Sequence, residues 1–493
     1  MTSLLRDLLI AGPASVVWMS SGGMYGASLH AADADDLEFR RGEYDGVQAY
    51  ARIETANAQT SLRPGAFVEV FLRDRLYRQV ARLPEIVIPG VADVPILGAV
   101  DTGVVGQIPA AEPIAAVGVG AVILSAVYWI FGFLRMGTTG LTAQAAGQGD
   151  SAEVAALLTR GLMIGLAAGV MFILLQPLLY PLAFAVSPAS PEVEAMARDY
   201  MQIRIWSAPA AIAIYGISGW LIAQERSRAL LGLQLWMNGA NMALDVVFVL
   251  GLGWGVSGVA LASFLAEWSG LAMGLWMCRA AFRHPSWRDW ARVFDRVRLK
   301  RMAVVNADIM IRSALLQAIL VSFLLFGGRF GDATLAANQV LLQFLYVTGY
   351  ALDGFAFAAE ALVGQAFGAG AVDRVRRGAA LTTLWATITA GLLSLLFWLF
   401  GPAFIDILAK APDVRLLARE FLPWMIAAPV MQIGLTMLDG IFIGATRSAD
   451  MRNMMLLAAL CYLAAVWLLT PVWANHGLWL ALISLMLARA GGM

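Results

Sequence analysis

The chain has 493 residues, of which 60% are hydrophobic before glycine is counted and only 14% are charged. Soluble domains carry about 45–50% apolar residues with glycine included and about 25% charged ones, so this balance excludes an ordinary soluble protein and points to the bilayer. Lysine plus arginine equals aspartate plus glutamate, 34 each, so no global charge points to nucleic acid.

The chain opens on a polar extension over residues 1–85. "LLRDLLIAGPASVVWM" has a short apolar run interrupted by Asp7, which does not read as a cleavable signal. Further on, the alternation in "GAFVEVFL" predicts one or two short strands. There is no room here for a closed barrel or a large core.

From Ile86 onward, apolar stretches of about 20 residues recur, each long enough to cross a bilayer. They predict an all-α polytopic membrane protein. Six spans fall near 86–106, 113–134, 157–182, 198–222, 229–251 and 254–277. Six more fall near 303–327, 333–357, 378–403, 416–444, 453–472 and 477–490, the last short for a full crossing. The stretches lack the ten-residue alternation of a membrane β-barrel.

The connections differ in charge. "RAAFRHPSWRDWARVFDRVRLKR", between spans 6 and 7, holds eight Lys and Arg. Arg226 and Arg228 follow span 4, Arg374, Arg376 and Arg377 follow span 8, and Arg447 and Arg452 follow span 10. The alternate loops "QIPAAEP", "GLGWG" and "WANHG" have none. The positive-inside bias therefore puts the basic loops and both termini in the cytoplasm.

Three anchors repeat at one spacing. "QAAGQG" at Gln144 returns as "QAFGAG" at Gln365, 221 positions later. "PIAAVG" at Pro113 returns as "TLAANQ" at Thr334, and "GWLIAQERS" at Gly219 as "GIFIGATRS" at Gly440, both at the same offset. The expected architecture is two six-helix lobes related by a pseudo-two-fold axis along the membrane normal, 86–290 and 291–493, with a central site between them.

Asp101 sits in "VPILGAVDTGVVG", a carboxylate in an apolar run. "DTG" is also turn chemistry, so the helix could end before it. If Asp101 lies within span 1, it costs about 2.5–3.5 kcal/mol at mid-membrane, and binding a cation or a proton is the reason to keep it. Span 5 offers partners: Asn238, Asn241 and Asp245 share one helical stripe. Asp245 lies about as far along its span as Asp101 does, although asparagines also serve helix packing. Span 6 adds Ser263 and Glu267, four apart; Glu267 either faces a cavity or pairs with a half-buried arginine. Asn338, Gln339 and Gln343 in span 8 are candidate cavity-lining residues. Asp353, Glu360 and Asp439 read as interfacial partners of Arg447 or its neighbours. Asp308 and Arg312 read as a local i,i+4 pair.

No GxxxxGK[ST] loop is present, and His30, His284 and His476 are scattered, so neither ATP hydrolysis nor a metal cluster is expected. No nucleophile motif supports an enzyme. Cys278 and Cys461 stand alone in apolar runs and read as bystanders. An ion gradient is the remaining energy source, worth about 2.3 kcal/mol per charge per 100 mV.

The strings "LGAVDTGVVG", "FLRMGTTGLTAQAAGQGD", "NADIMIRS", "LAANQVLLQFLYVTGYALDGFAFAAEALVGQAFGAG" and "LDGIFIGATRSADMRN" together resemble the DinF-like branch of the MATE multidrug exporters, over about 86–480. The resemblance implies twelve helices in two lobes and export of amphipathic, often cationic, drugs or toxic compounds against H+ or Na+, with no cofactor. The DinF-like branch favours protons. The resemblance also implies an N-lobe cation site of Asp101, Asn241 and Asp245, with Ser263 at a position where the family has a hydroxyl residue. A monomer in a bacterial inner membrane, with no nucleic-acid partner, is expected. Residues 51–85 are similar to the β-barrel part of periplasmic efflux adaptors. Such adaptors work on the other side of the membrane from the expected start of span 1, so a fused or misassembled reading frame is the expectation.

Two rivals remain. A lipid-linked oligosaccharide flippase of similar build would need a strongly cationic cavity, and arginines within the spans look few: Arg135, Arg204 and Arg312, near span ends. A non-transporting component of an efflux assembly would dock through residues 1–85. An ion channel fits the paired halves less well than alternating access does.

Overall fold

The computed structural model describes residues 111–186 and 190–492 and, before them, four short strands. Span 1 and Asp101 therefore lie outside the described residues, as does the strand read in "GAFVEVFL". The chain divides into two units, Met1–Arg82 and Leu83–Met493. In the first, β1 (Ser15–Ser20) pairs antiparallel with β2 (Gly23–Ser28), Ser20 opposite Gly23. The two-residue strands β3 (Tyr44–Asp45) and β4 (Gln48–Ala49) form a second small hairpin.

The second unit is helical throughout its described length. Its first half holds α1 (Ala111–Trp129), α2 (Gly132–Gly147), α3 (Ser151–Val186), α4 (Pro191–Arg204), α5 (Ala208–Ala223), α6 (Ser227–Asp245) and α7 (Gly255–Met277). Its second half holds α8 (Arg296–Gly327), α9 (Asp332–Gly368), α10 (Val372–Leu408), α11 (Pro412–Gly444) and α12 (Ser448–Gly492). With α1 and α2 joined, and α4 and α5 joined, ten helices among the described residues are long and apolar enough to cross a membrane. The expected spans 11 and 12 are the two arms of α12, which breaks at Ala474, where φ is 46° and ψ −126°. That left-handed backbone is costly for a residue with a Cβ, and it ends the first arm just after Pro471.

Polar signals set the helix starts. Ser190 accepts from the Val193 amide and leads Pro191 into α4, with Glu192 and Glu194 in the first turn and Arg204 in the last. Asp295 caps α8 by accepting from the Arg298 amide at 2.9 Å. Large apolar side chains face outward: Trp467 is 76% exposed, Ile407 75% and Leu174 74%. Such a surface is stable against lipid and not against water.

The buried apolar residues gather mainly into two large clusters. One runs from Ala116 to Met302 around Met201, Ile212 and Leu233; the other runs from Ile319 to Met486 around Phe323, Tyr462 and Trp479. The basic connection between the lobes is fastened to the start of α3. Arg160, 2% exposed, donates to Glu153 and to the carbonyls of Arg292 and Val293, while Arg298 pairs with Glu153 and Arg292 with Asp150. Cys278 is fully buried beside this connection, and burial pushes its thiol up to about 12.

The lobes meet at the end that carries the basic loops. α2 packs on α8, α9 and α11 of the other lobe. Gln144 donates to the Gly444 carbonyl at 3.1 Å, and Gln365 donates to the Ala223 carbonyl at 2.8 Å. These are one bond used twice, because Gln365 and Gly444 follow Gln144 and Ala223 by the same 221 positions as the sequence repeat. Each glutamine satisfies a carbonyl in the last turn of the partner lobe's helix, where no intrahelical donor remains. Gln144 also receives a bond from Arg301 at 2.8 Å.

Candidate functional site

In the N-lobe, α6 and α7 bring three of the predicted residues together. Asn241 Nδ2 donates to Asp245 Oδ2 at 3.1 Å and to Ser263 Oγ at 3.4 Å. Their exposures are 2% for Asn241, 0% for Asp245 and 5% for Ser263. Asn241 and Asp245 fall on one face because they are four apart on α6. Asn241 Oδ1 has no hydrogen-bond partner among the described residues. Directly after Asp245, the helix widens into a π segment, Val246–Gly251. Such segments are rare and concentrate at functional positions. The cluster is a set of buried oxygen ligands, chemistry that suits a proton or a hard cation such as Na+.

The remaining predicted residues fall elsewhere. Glu267 is tied to Arg204 at 2.7 Å, and Arg204 also bonds Ser207, so the ion-pair alternative is the one found. Asn338 is fully buried in a closed set with Asn475 and Trp479: Asn338 Nδ2 donates to Asn475 at 2.8 Å, and Trp479 donates to Asn338 at 3.0 Å. It is occupied in joining α9 to the second arm of α12. Gln339 and Gln343 are exposed, and Asn238 is half-buried.

A second group of charges, including the three acids read from sequence as interfacial, lines one cleft of about 360 Å³. Arg135 comes from α2, Arg312 from α8, Asp353 and Glu360 from α9, Asp439 from α11 and Arg489 from α12. Arg135 bonds Glu360 across the lobes at 3.2 Å, and its guanidinium sits over the Phe357 ring. Asp439 is shared: Arg312 pairs with one of its oxygens and Arg489 with the other.

Three sequence expectations are corrected here. Arg447 pairs with Asp450 at 2.5 Å, and not with Asp353, Glu360 or Asp439. Asp308 does not pair with Arg312; it pairs with Arg452 at 2.5 Å and accepts from Ser448 at 2.8 Å. A local i,i+4 pair is worth only about 0.2–0.5 kcal/mol, too little to hold two buried charges that have stronger partners on α12 and α11. Arginines in the cleft are not few, because Arg489 joins Arg135 and Arg312. The missed signal was the recurrence of acids and arginines on four helices of one lobe, an arrangement expensive in lipid unless the charges converge.

The comparisons agree with this architecture. The MatE family model matches residues 91–247 and 309–468. DNA damage-inducible protein F of Escherichia coli K12 is 38% identical over 404 residues, 80% of this chain and 86% of that protein. A probable multidrug resistance protein NorM of Pseudomonas aeruginosa is 25% identical over 422 residues, 80% of this chain and 83% of that one. The MATE transporter VcmN of Vibrio cholerae, solved in a bent form, superposes with a TM-score of 0.75 at 19% identity, covering 84% of this chain and 95% of that one. Members of this family are transporters, not enzymes, and the two-lobed helical fold, the repeat and the matched sequence lead to one assignment: the chain belongs to the MatE family of multi-pass membrane transporters.

Proposed function

We propose that the chain exports amphipathic small molecules, multidrug fashion, against an H+ or Na+ gradient by alternating access of its two lobes. The supporting observation is the buried Asp245–Asn241–Ser263 cluster. A carboxylate with no access to water is poised to change charge with ion occupancy, and its position beside the π segment links that change to helix geometry. Asp245, Asn241 Oδ1 and Ser263 would hold the ion, joined by Asp101 as the fourth member. The cleft, lined by both lobes and sealed at the basic-loop end by the Gln144 and Gln365 bonds, is the substrate chamber. The protein sits in the bacterial inner membrane with basic loops and termini in the cytoplasm, works as a monomer and needs no cofactor. Residues 86–290 and 291–493 form the moving lobes, and residues 1–85 are not required.

The test is dye efflux in vesicles with proton and sodium gradients imposed separately. Asp245→Asn is expected to reach the membrane and to lose gradient-driven efflux to background, under the gradient that drives the wild type. Removing residues 1–85 should leave efflux intact. Unimpaired efflux by Asp245→Asn refutes the coupling site. Loss on deletion favours a docking component instead.

A further inference from the structure

The start of α8 runs against helix electrostatics. Arg296, Arg298, Lys300 and Arg301 crowd its first two turns, and its first turn holds no acid. The N-terminal end of a helix carries a positive partial charge, so cations are misplaced there. Arg296 and Lys300 are also four apart, and such like-charge pairs cost about 0.2–0.5 kcal/mol. Arg298 is compensated by Glu153 of α3. The other three have no carboxylate partner among the described residues; Arg301 donates to Gln144 at 2.8 Å and to Thr446 at 3.4 Å.

Arg296, Lys300 and Arg301 line one open pocket of about 830 Å³, together with Arg447. The pocket lies between the start of α8 and the turn that leads from α11 into α12, so the N-terminal ends of two long helices border the same space. The two acids in its wall are already taken. Asp308, 3% exposed, pairs with Arg452 at 2.5 Å and accepts from Ser448 at 2.8 Å, and Asp450 pairs with Arg447 at 2.5 Å. The three remaining cations are exposed, so an incoming anion reaches them without displacing a buried partner. The pocket also has an open apolar wall, with Val297 77% and Val304 51% exposed. Just before α8, Trp290 and Phe294 stack at 5.9 Å with both side chains more than half exposed. Tryptophan is enriched at headgroup level. A soluble anion has no use for the apolar surface, whereas a phospholipid needs both surfaces.

We propose that this pocket binds one anionic phospholipid of the cytoplasmic leaflet. Its phosphate oxygens accept from Arg296, Lys300 and Arg301, and its chains lie along Val297 and Val304. Basic pockets between membrane helices on the cytoplasmic side suit such headgroups. The site rests on the proposed cytoplasmic placement of the basic loops, and not on export, the coupling cluster or the cleft.

The test is native mass spectrometry of the purified full chain in detergent, with dioleoyl-phosphatidylglycerol and dioleoyl-phosphatidylcholine added in equal amounts. The two lipids share chains and phosphate and differ in net charge. The anionic lipid is expected to be the first bound at least about fivefold more often, the worth of one basic residue near an anionic surface. Arg296→Gln with Lys300→Gln should bring the two lipids to near-equal binding; both side chains are exposed, so the fold does not need their charge. Arg376→Gln with Arg377→Gln, which removes the same charge from the start of α10, should keep the preference. Inorganic phosphate in large excess should not displace the lipid. Equal binding of the two lipids by the wild type overturns the proposal, even if a variant fails to fold. So does a preference that survives in Arg296→Gln with Lys300→Gln, or one lost equally in the α10 variant, which would reflect total charge alone. Displacement by phosphate overturns it too, because the site would then be one for a soluble anion. No gradient enters these readouts, so they stand whatever the efflux assay returns.

Discussion

Gly147→Ala and Gly368→Ala will each reduce efflux by about ten- to a hundredfold, and by similar factors. Gly147 ends α2 and Gly368 ends α9, and they are 221 positions apart like the glutamines beside them. A Cβ on Gly147 would lie 2.0 Å from the Gln365 carbonyl oxygen, and a Cβ on Gly368 would lie 2.2 Å from the Gln144 carbonyl oxygen. Both obstacles are backbone of the opposite lobe, which cannot step aside without parting the lobes. Overpacking of this kind costs about 1–3 kcal/mol, all of it charged to the closed arrangement and none to the open one. Tenfold in population for each 1.4 kcal/mol gives the expected factor. Dye efflux reads the loss, and thiol labelling of a cysteine placed at Thr446, in a cysteine-free background, should rise as the seam opens. Gly118→Ala and Gly391→Ala meet nothing within 4 Å and are the neutral controls. Wild-type efflux in both seam variants would show that this contact is not broken and remade during transport.

Asp439→Leu should destabilise the protein by about 3–5 kcal/mol. The carboxylate is the shared counter-ion of Arg312 and Arg489, both buried, and its loss leaves two like charges facing each other out of water. The effect should appear as a lowered melting temperature in a thermal-shift assay and as loss of protein from the membrane fraction. The double variant Asp439→Leu with Arg489→Met should recover much of the loss, because replacing a buried pair with apolar groups of similar volume is often neutral. A single variant that melts like the wild type would mean that Asp439 is not the ion holding this corner.

The spans were legible because lipid imposes a crude requirement, a long apolar run with few charges. The exact ends were not: α3 runs Ser151–Val186 where 157–182 was read, and α9 runs to Gly368 where 357 was read. Helices outlast the hydrocarbon, and composition does not register the excess. The α6–α7 cluster was legible in part because Asn241 and Asp245 share one helix face, a local property. The cleft charges were not, because their partners lie far apart in sequence. Arg135 reaches Glu360 across 225 positions, and Arg312 reaches Asp439 across 127. Local spacing offered Asp308 as the nearer acid for Arg312, and packing chose otherwise. The break at Ala474 was visible as a gap between two apolar runs, and the fold has two helical arms that meet there at a residue with positive φ.

The cleft's charges also bear on voltage. Arg135, Arg312 and Arg489 are three basic groups in its wall, and Asp353, Glu360 and Asp439 are three acidic ones. When all six are ionised, moving them together through the field does no net electrical work, although each alone would contribute about 2.3 kcal/mol per 100 mV. Membrane potential then finds no net charge to act on in the walls of this cleft. In substrate-free vesicles, a voltage step on Asp245→Asn should draw no transient charging current from the protein; a current there would mean that the walls are unbalanced.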